Sequence, residues 1–174
     1  MALSVFNLKT WVEEHRHLLK PPVGNKMMWG DGEFLVMVVG GPNARKDYHV
    51  EDGEELYYQI EGVITVKVIE DGKPRDIVVR EGDLFLLPAG IPHSPQRPAG
   101  TVGLVVERMR QPVEIDHMKW FCEACGELLY DASFHCKDLG TQLEPIIESF
   151  FADEKRRTCR KCGTVMQPPA PPKA

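Results

Sequence analysis

The spacing of apolar residues changes character along the chain. Leu8, Trp11, Val12, His15, Leu18 and Leu19 recur at helical spacing behind Asn7, a residue suited to cap a helix N-terminus, and Pro21-Pro22 stops the pattern. This predicts a lead-in helix. From Phe34 to about Met109 the chain becomes a series of short runs rich in Val, Ile, Leu, Phe and Tyr, punctuated by Gly, Pro and Asp. That is the signature of a β-sandwich or barrel. Ile64, Val66 and Val68 alternate with Thr65 and Lys67, one face buried and one wet, and Asp71-Gly72 is a hairpin turn leading into residues 77–79. Further strands are expected at residues 84–87, around His93 and at 102–107. Beyond Gln111-Pro112 comes a short cysteine-rich stretch, in which Leu143, Ile146, Ile147, Phe150 and Phe151 return to helical spacing. These five would pack the stretch against the barrel or against a second subunit. The last residues are proline-rich and are not expected to fold. The expected division is 1–112 for helix and β-domain, 113–166 for a small metal module with a helix, and 167–174 for a disordered tail.

Composition narrows the partners. Of 174 residues, 21 are Lys or Arg and 26 are Asp or Glu, a formal net charge of -5, which argues against a protein built to grip phosphate backbones. Lys155, Arg156 and Arg157 give a nucleic-acid-binding ribbon some footing, but three charges in an acidic chain read as a solvated face. The longest apolar run, Phe34 to Val39, is far shorter than the roughly 20 residues that span a bilayer. No membrane partner is expected, and a cytoplasmic location is. In a reducing compartment the five cysteines point to metal rather than disulfides.

Four of them form two Cys-x-x-Cys-Gly knuckles, Cys122 to Gly126 and Cys159 to Gly163. Each knuckle puts two thiolates on a tight turn, and two knuckles close a tetrahedral site with no open position, so a structural iron or zinc is expected there. Cys136, beside His135, reads as a spare thiol.

A second set of ligands lies in the β-domain. Two histidines and one carboxylate on a common face are a frequent holder of non-haem iron, with neighbouring coordination positions left open. His49 and Glu55 flank the turn at Asp52-Gly53, and His93 follows a Gly- and Pro-rich bend that aims its ring. Taken singly, His49 reads as a turn histidine and Glu55 as an edge carboxylate. As a set with His93 they read as metal ligands. Arg45 and Arg97 each lie four residues from a histidine of the set. Such arginines are either solvated or a bidentate clamp for an organic carboxylate. Glu107, near the end of a strand, is expected to be their internal counter-ion.

These residues resemble the cupin superfamily. Gly82, Pro88, Gly90 and His93 match its second motif, and His49, Glu55 and Gly62 its first. Glu51 stands where a second histidine is usual, and Arg97 where the second motif has Asn. This leaves two His and one carboxylate, with Glu51 a candidate extra ligand. The resemblance implies a mainly β fold, a double-stranded β-helix or jelly-roll barrel.

Within the cupins the chain is similar to the bacterial type of the 3-hydroxyanthranilate 3,4-dioxygenase family, from about residue 6 to residue 165. The segments that carry this are Leu18 to Asn25, Val38 to Asn43, Asp47-Tyr48-His49, Phe85 to Pro88 and His93-Ser94-Pro95-Gln96-Arg97-Pro98. The resemblance implies His49, Glu55 and His93 as ligands of a catalytic Fe(II), and Arg45, Arg97, Glu107 and Asn25 around substrate. It implies a rubredoxin-like iron at Cys122, Cys125, Cys159 and Cys162, a homodimer, and opening of 3-hydroxyanthranilate by dioxygen to 2-amino-3-carboxymuconate semialdehyde. That reaction lies on the kynurenine route from tryptophan to quinolinate and NAD. The residues suit it: an amine and a hydroxyl on adjacent ring carbons need two open metal positions and dioxygen a third, which three protein ligands leave free. Arg97 with Arg45 would clamp the carboxylate while Glu107 accepts a proton. The rivals are another cupin enzyme, such as a dioxygenase for a different aromatic acid, and a non-catalytic cupin sensor of a carboxylate ligand.

Overall fold

A computed structural model describes residues 5–20, 24–137 and 139–170. The lead-in helix α1 spans Leu8–His15, and Asn7 caps it by accepting from the Thr10 amide at 3.0 Å. A 3-10 turn, Arg16–Leu18, continues it. Pro21 and Pro22, expected to end the helix, lie outside the described residues. Val12 and Leu19 are buried against Val38 and Val102, which fastens the helix to the barrel.

Among the described residues eleven strands follow: β1 Asn25–Trp29, β2 Phe34–Gly40, β3 Asp47–Val50, β4 Glu55–Glu61, β5 Ile64–Glu70, β6 Lys73–Val79, β7 Leu84–Leu87, β8 His93–Gln96, β9 Val102–Arg108, β10 Asp116–Phe121 and β11 Leu128–Phe134. One sheet has the order β1-β2-β9-β4-β7 and the other β11-β10-β3-β8-β5-β6. The pairs β2 with β9, β3 with β8, β4 with β7 and β5 with β6 are all antiparallel. The run β2 to β9 is therefore one long hairpin, closed at β5–β6 and wound so that its pairs fall alternately in two facing sheets. That winding is the jelly roll, the cupin barrel expected from the motifs. At the hairpin tip Asp71 and Gly72 both have positive φ, 50° and 73°, the geometry a two-residue turn between right-twisted strands requires.

Between the sheets lie Met37, Tyr57, Ile64, Val66, Val68, Val79, Leu87 and Val105. Ile64, Val66 and Val68 face inward, as the alternation predicts, and Lys67 faces out. The barrel's sheet also runs on into the 113–166 stretch. β10 pairs with β3, setting Met118 opposite His49, and β11 pairs with β10. The spacing rules did not single out β10 and β11, because their segment reads as part of a cysteine-rich module. Helix α2, Leu139–Ala152, lays Leu143, Ile146, Ile147, Phe150 and Phe151 on Met118 and Trp120, with Phe150 stacked on Trp120 at 4.3 Å. A short helix α3, Glu154–Arg157, leads to the second cysteine knuckle. Of the proline-rich end, residues 171–174 lie outside the described residues.

Candidate metal and substrate site

Antiparallel pairing brings His49 on β3 directly opposite His93 on β8, with ring centroids 5.2 Å apart. Glu55, the first residue of β4, reaches in from the other sheet, where its register partner on β9 is Glu107. All three side chains of the His49, Glu55, His93 set are buried, and their ligand atoms lie within 4.8 Å of one another.

Which atom each offers follows from what its other atoms do. His93 Nδ1 lies 3.0 Å from the Ile91 carbonyl and donates there, which leaves Nε2 facing Glu55 Oε1 at 2.7 Å. His49 Nε2 lies 2.8 Å from Asp116 Oδ2, which leaves Nδ1 facing the same oxygen at 3.8 Å. The Tyr57 hydroxyl donates to Glu55 Oε2 at 2.6 Å, and Oε1 is buried without a hydrogen-bond partner. Two ring nitrogens and one carboxylate oxygen thus converge with their outer atoms already committed, the donor set and orientation that a divalent cation requires. In the metal-free protein burial pulls the His49 imidazolium down, but its bonds to Asp116 and Glu55 outweigh this and push it up to about 9. Burial is also the largest influence on Glu55, yet His93 and His49 hold its carboxyl well below the usual range. The residues fit a metal.

Glu51 stands apart from this set. Its carboxyl gathers with Glu55 and Glu107 rather than with the two imidazoles. Burial and the charges of Glu55 and Glu107 push it up to about 10, and the Arg110 guanidinium, with Nη2 2.9 Å from Glu51 Oε2, draws it back.

A cavity of about 100 Å³ opens beside the three ligands. Arg45, Arg97, Glu107 and Asn25 all line it, with Met37, Val39 and Val105 as apolar walls and Leu143 of α2 at its edge. Arg97 is 3% exposed, and its Nη1 is buried with no hydrogen-bond partner. Burial pulls its guanidinium down to about 10, which still leaves it cationic at neutral pH. Its backbone is held by Asn43, whose Oδ1 accepts from the Arg97 amide at 2.8 Å and whose own amide donates to the Arg97 carbonyl at 2.9 Å. The chain can pass this closely because residue 41 is glycine: a Cβ there would lie 2.1 Å from the Pro98 carbonyl oxygen. Glycine at 103 likewise makes room for the Arg97 side chain, since a Cβ would sit 2.9 Å from Nη1.

The expectation that Glu107 is the counter-ion of Arg45 and Arg97 is corrected by the structure. Arg45, in the loop before β3, pairs with Asp47, that strand's first residue, and the partner of Glu107 is Arg110. The reason is register. Glu107 sits across from Glu55 at the end of β9, and the chain turning into β10 folds Arg110 under it. Arg110 also binds Asp116, so the two strongest second contacts of the site, Arg110 and Asp116, come from a segment that no motif marks. A charged pair six apart between two strands was the one signal available.

The four cysteines form a second centre. Cys122, Cys125, Cys159 and Cys162 present sulfurs within 4.8 Å of one another, with Cys122 to Cys162 and Cys125 to Cys159 both at 3.6 Å. In each knuckle a glycine with positive φ, Gly126 at 73° and Gly163 at 75°, turns its amide back onto the first cysteine's carbonyl. Four thiols and no other ligand type suit a closed tetrahedral metal site. Cys136 is buried and belongs to neither group; burial pushes its thiol up to about 12. A larger groove of about 840 Å³ runs along the first knuckle past Tyr48, Lys67 and Phe121. Among its lining residues there is no His and none of the His49, Glu55, His93 set, which borders the smaller cavity instead.

The chain is similar to known proteins over most of its length. The profile of the family described as 3-hydroxyanthranilic acid dioxygenase matches residues 1–151. A protein of Neurospora crassa named 3-hydroxyanthranilate 3,4-dioxygenase is 50% identical over 165 residues, covering 95% of this chain and 91% of the relative. One of the same name from Xanthomonas campestris pv. campestris is 50% identical over 171 residues, covering 98% and 96%. Among solved structures, a cupin-2 domain protein of Shewanella frigidimarina has a TM-score of 0.47 and 15% identity over 59% of this chain and 100% of that one.

Proposed function

From the chain's membership of the 3-hydroxyanthranilic acid dioxygenase family, we propose that it opens the ring of 3-hydroxyanthranilate with dioxygen, using Fe(II) held by His49, Glu55 and His93, to give 2-amino-3-carboxymuconate semialdehyde. The observation that carries the substrate assignment is Arg97 Nη1, a cationic donor buried without a partner in the wall of the cavity beside the three ligands. A buried donor left unpaired costs roughly 1–3 kcal/mol, and an aryl carboxylate relieves that cost.

Iron held by His49, Glu55 and His93 would supply open positions for chelating an aminophenol and for activating dioxygen. The remaining work belongs to the chain's own side chains. Arg97, with Arg45 on the same wall, takes the substrate carboxylate and so fixes which ring bond faces the ligands. Met37, Val39 and Val105 hold the ring and exclude water. Glu107 accepts a proton from the aminophenol as it binds: burial and the Glu55 charge push its carboxyl up, and Arg110 draws it back. Tyr57 keeps its own proton, because burial and the neighbouring Glu55 charge hold the phenol well above its ordinary value, and it keeps Glu55 Oε2 occupied. The same reading makes the four-cysteine centre a structural iron or zinc site and the enzyme a homodimer on the kynurenine route to quinolinate.

The test is anaerobic reconstitution with Fe(II), followed by oxygen uptake with 3-hydroxyanthranilate under labelled dioxygen. Both labelled atoms are expected in the ring-opened product. Tight binding of the substrate without oxygen uptake would assign the chain to ligand sensing instead, and turnover of a different aromatic acid alone would move the substrate.

A further inference from the structure

We propose that Arg110 and Asp116 are positioning residues that act in opposite senses on the metal centre: Asp116 presents His49 to the metal, and Arg110 keeps Glu107 off it. The inference rests on the metal centre proposed above and concerns two residues outside its ligand set.

Asp116 is 0% exposed. Its carboxylate accepts from His49 Nε2 at 2.8 Å and from Arg110 Nη2 at 2.9 Å and Nε at 3.2 Å. The third arm of the guanidinium, Nη1, donates to Glu107 Oε2. Nη2 also lies 2.9 Å from Glu51 Oε2, so one cation is shared among the partner of a ligand, the proposed proton acceptor and Glu51. Both ends come from a single short connection: Arg110 follows β9, Asp116 opens β10, and Glu114 pins the bend between them by accepting from the Gln111 amide at 2.6 Å. Register then sets the geometry, because β10 lies against β3 with Met118 opposite His49.

The two contacts have different consequences. A neutral imidazole carries its proton on one nitrogen, and an acceptor fixes which. With Asp116 accepting a hydrogen bond from Nε2–H, the neutral ring has its Nδ1 lone pair free and is held facing Glu55. Glu107 has the opposite tendency. One of its oxygens lies within 4.8 Å of one oxygen each of Glu51 and Glu55, the last a member of the proposed ligand set, so a free Glu107 carboxylate would turn onto a divalent cation and fill a position that substrate needs. The salt bridge to Arg110 restrains it. Deleting Asp116's charge should weaken metal binding, whereas deleting Arg110's should strengthen it while closing an open position.

The experiment titrates Co(II) into the full chain against a competing chelator. The His/Glu site is followed by its weak visible bands, apart from the intense thiolate-to-metal absorption of the four-cysteine site. Asp116→Asn is expected to lose about 10–100-fold in affinity at the His/Glu site, the usual effect of removing a ligand's outer partner. Arg110→Met is expected to bind Co(II) at least as tightly as the parent, with a weaker visible band from a higher coordination number and a raised KM for substrate. Arg110→Lys restores the parent spectrum. If both Asp116→Asn and Arg110→Met lose affinity together, or neither changes affinity or spectrum, the proposal is overturned. Should Arg110→Met not fold, Asp116→Asn and Arg110→Lys decide it: unchanged Co(II) affinity in the former, or an altered spectrum in the latter, overturns it. The affinity and spectral readouts need no substrate, so a parent protein that binds Co(II) normally but leaves 3-hydroxyanthranilate intact refutes the proposed reaction and not this assignment.

Discussion

Replacing Gly103 by alanine tests the assignment of Arg97 as the carboxylate clamp without replacing a proposed ligand or the arginine itself. The new Cβ would lie 2.9 Å from Arg97 Nη1 and 3.0 Å from Gln59 Oε1. Carbon contacts settle at about 3.5–4.0 Å, so one neighbour must retreat by roughly half an ångström or more. Gln59 is pinned, its Nε2 donating to the Glu61 carbonyl at 2.7 Å, whereas Nη1 is the free end of a long side chain. Arg97 therefore yields. A 1 Å misplacement of a positioning group costs about 100-fold, so half of that predicts a loss of about 10-fold in kcat/KM, or about 1.4 kcal/mol of transition-state stabilisation, expressed mainly in KM. Stability should change little. Overpacking costs about 1–3 kcal/mol, but the end of a flexible side chain absorbs part of it and alanine in a strand recovers about 0.5–1 kcal/mol relative to glycine. Steady-state oxygen uptake with 3-hydroxyanthranilate, beside thermal unfolding of the same preparations, reads both. A folded Gly103→Ala protein with the parent's KM would show that Nη1 does not hold the substrate.

Three further outcomes are expected. Arg97→Lys keeps the charge but loses the planar fork, and should raise KM by about 10-fold or more in the same assay while leaving Co(II) affinity at the parent value. Phe150→Ala removes the ring stacked at 4.3 Å on the fully buried Trp120 and should cost about 3–5 kcal/mol in urea unfolding followed by Trp fluorescence; a loss under about 1 kcal/mol would mean α2 is not held by this packing. In the metal-free protein His49 is raised from 6.5 to about 9, so its bound proton stabilises that fold fully below about pH 6.5 and the contribution is lost as pH rises through about 9. A divalent metal must displace that proton. Calorimetric titration of the His/Glu site near pH 8 in buffers of different ionisation enthalpy should therefore show release of about one proton, falling toward none near pH 10; no release near pH 8 would show that Nδ1 is not the ligand atom.

Local signals, together with the resemblance to the cupin motifs, marked the candidate ligand sets and much of the barrel. His49, Glu55 and His93 were legible because a turn and a Gly- and Pro-rich bend fix where the chain reverses, and the four cysteines because each knuckle is a self-contained turn. The hairpin at Asp71-Gly72 and the inward face of β5 followed from turn chemistry and strand period. What the sequence could not supply was pairing between distant elements. β10 reads as part of a cysteine-rich module, and only its ladder with β3 brings Asp116 to His49, 67 positions apart. Arg110 was invisible for the same reason, and the carboxylate it holds was assigned to the wrong arginines, since charge type in a sequence does not say which guanidinium the fold will place beneath it. Residue identity and local turns settled what chemistry was available; strand register, a property of long-range backbone hydrogen bonding, decided which atoms were left free to perform it.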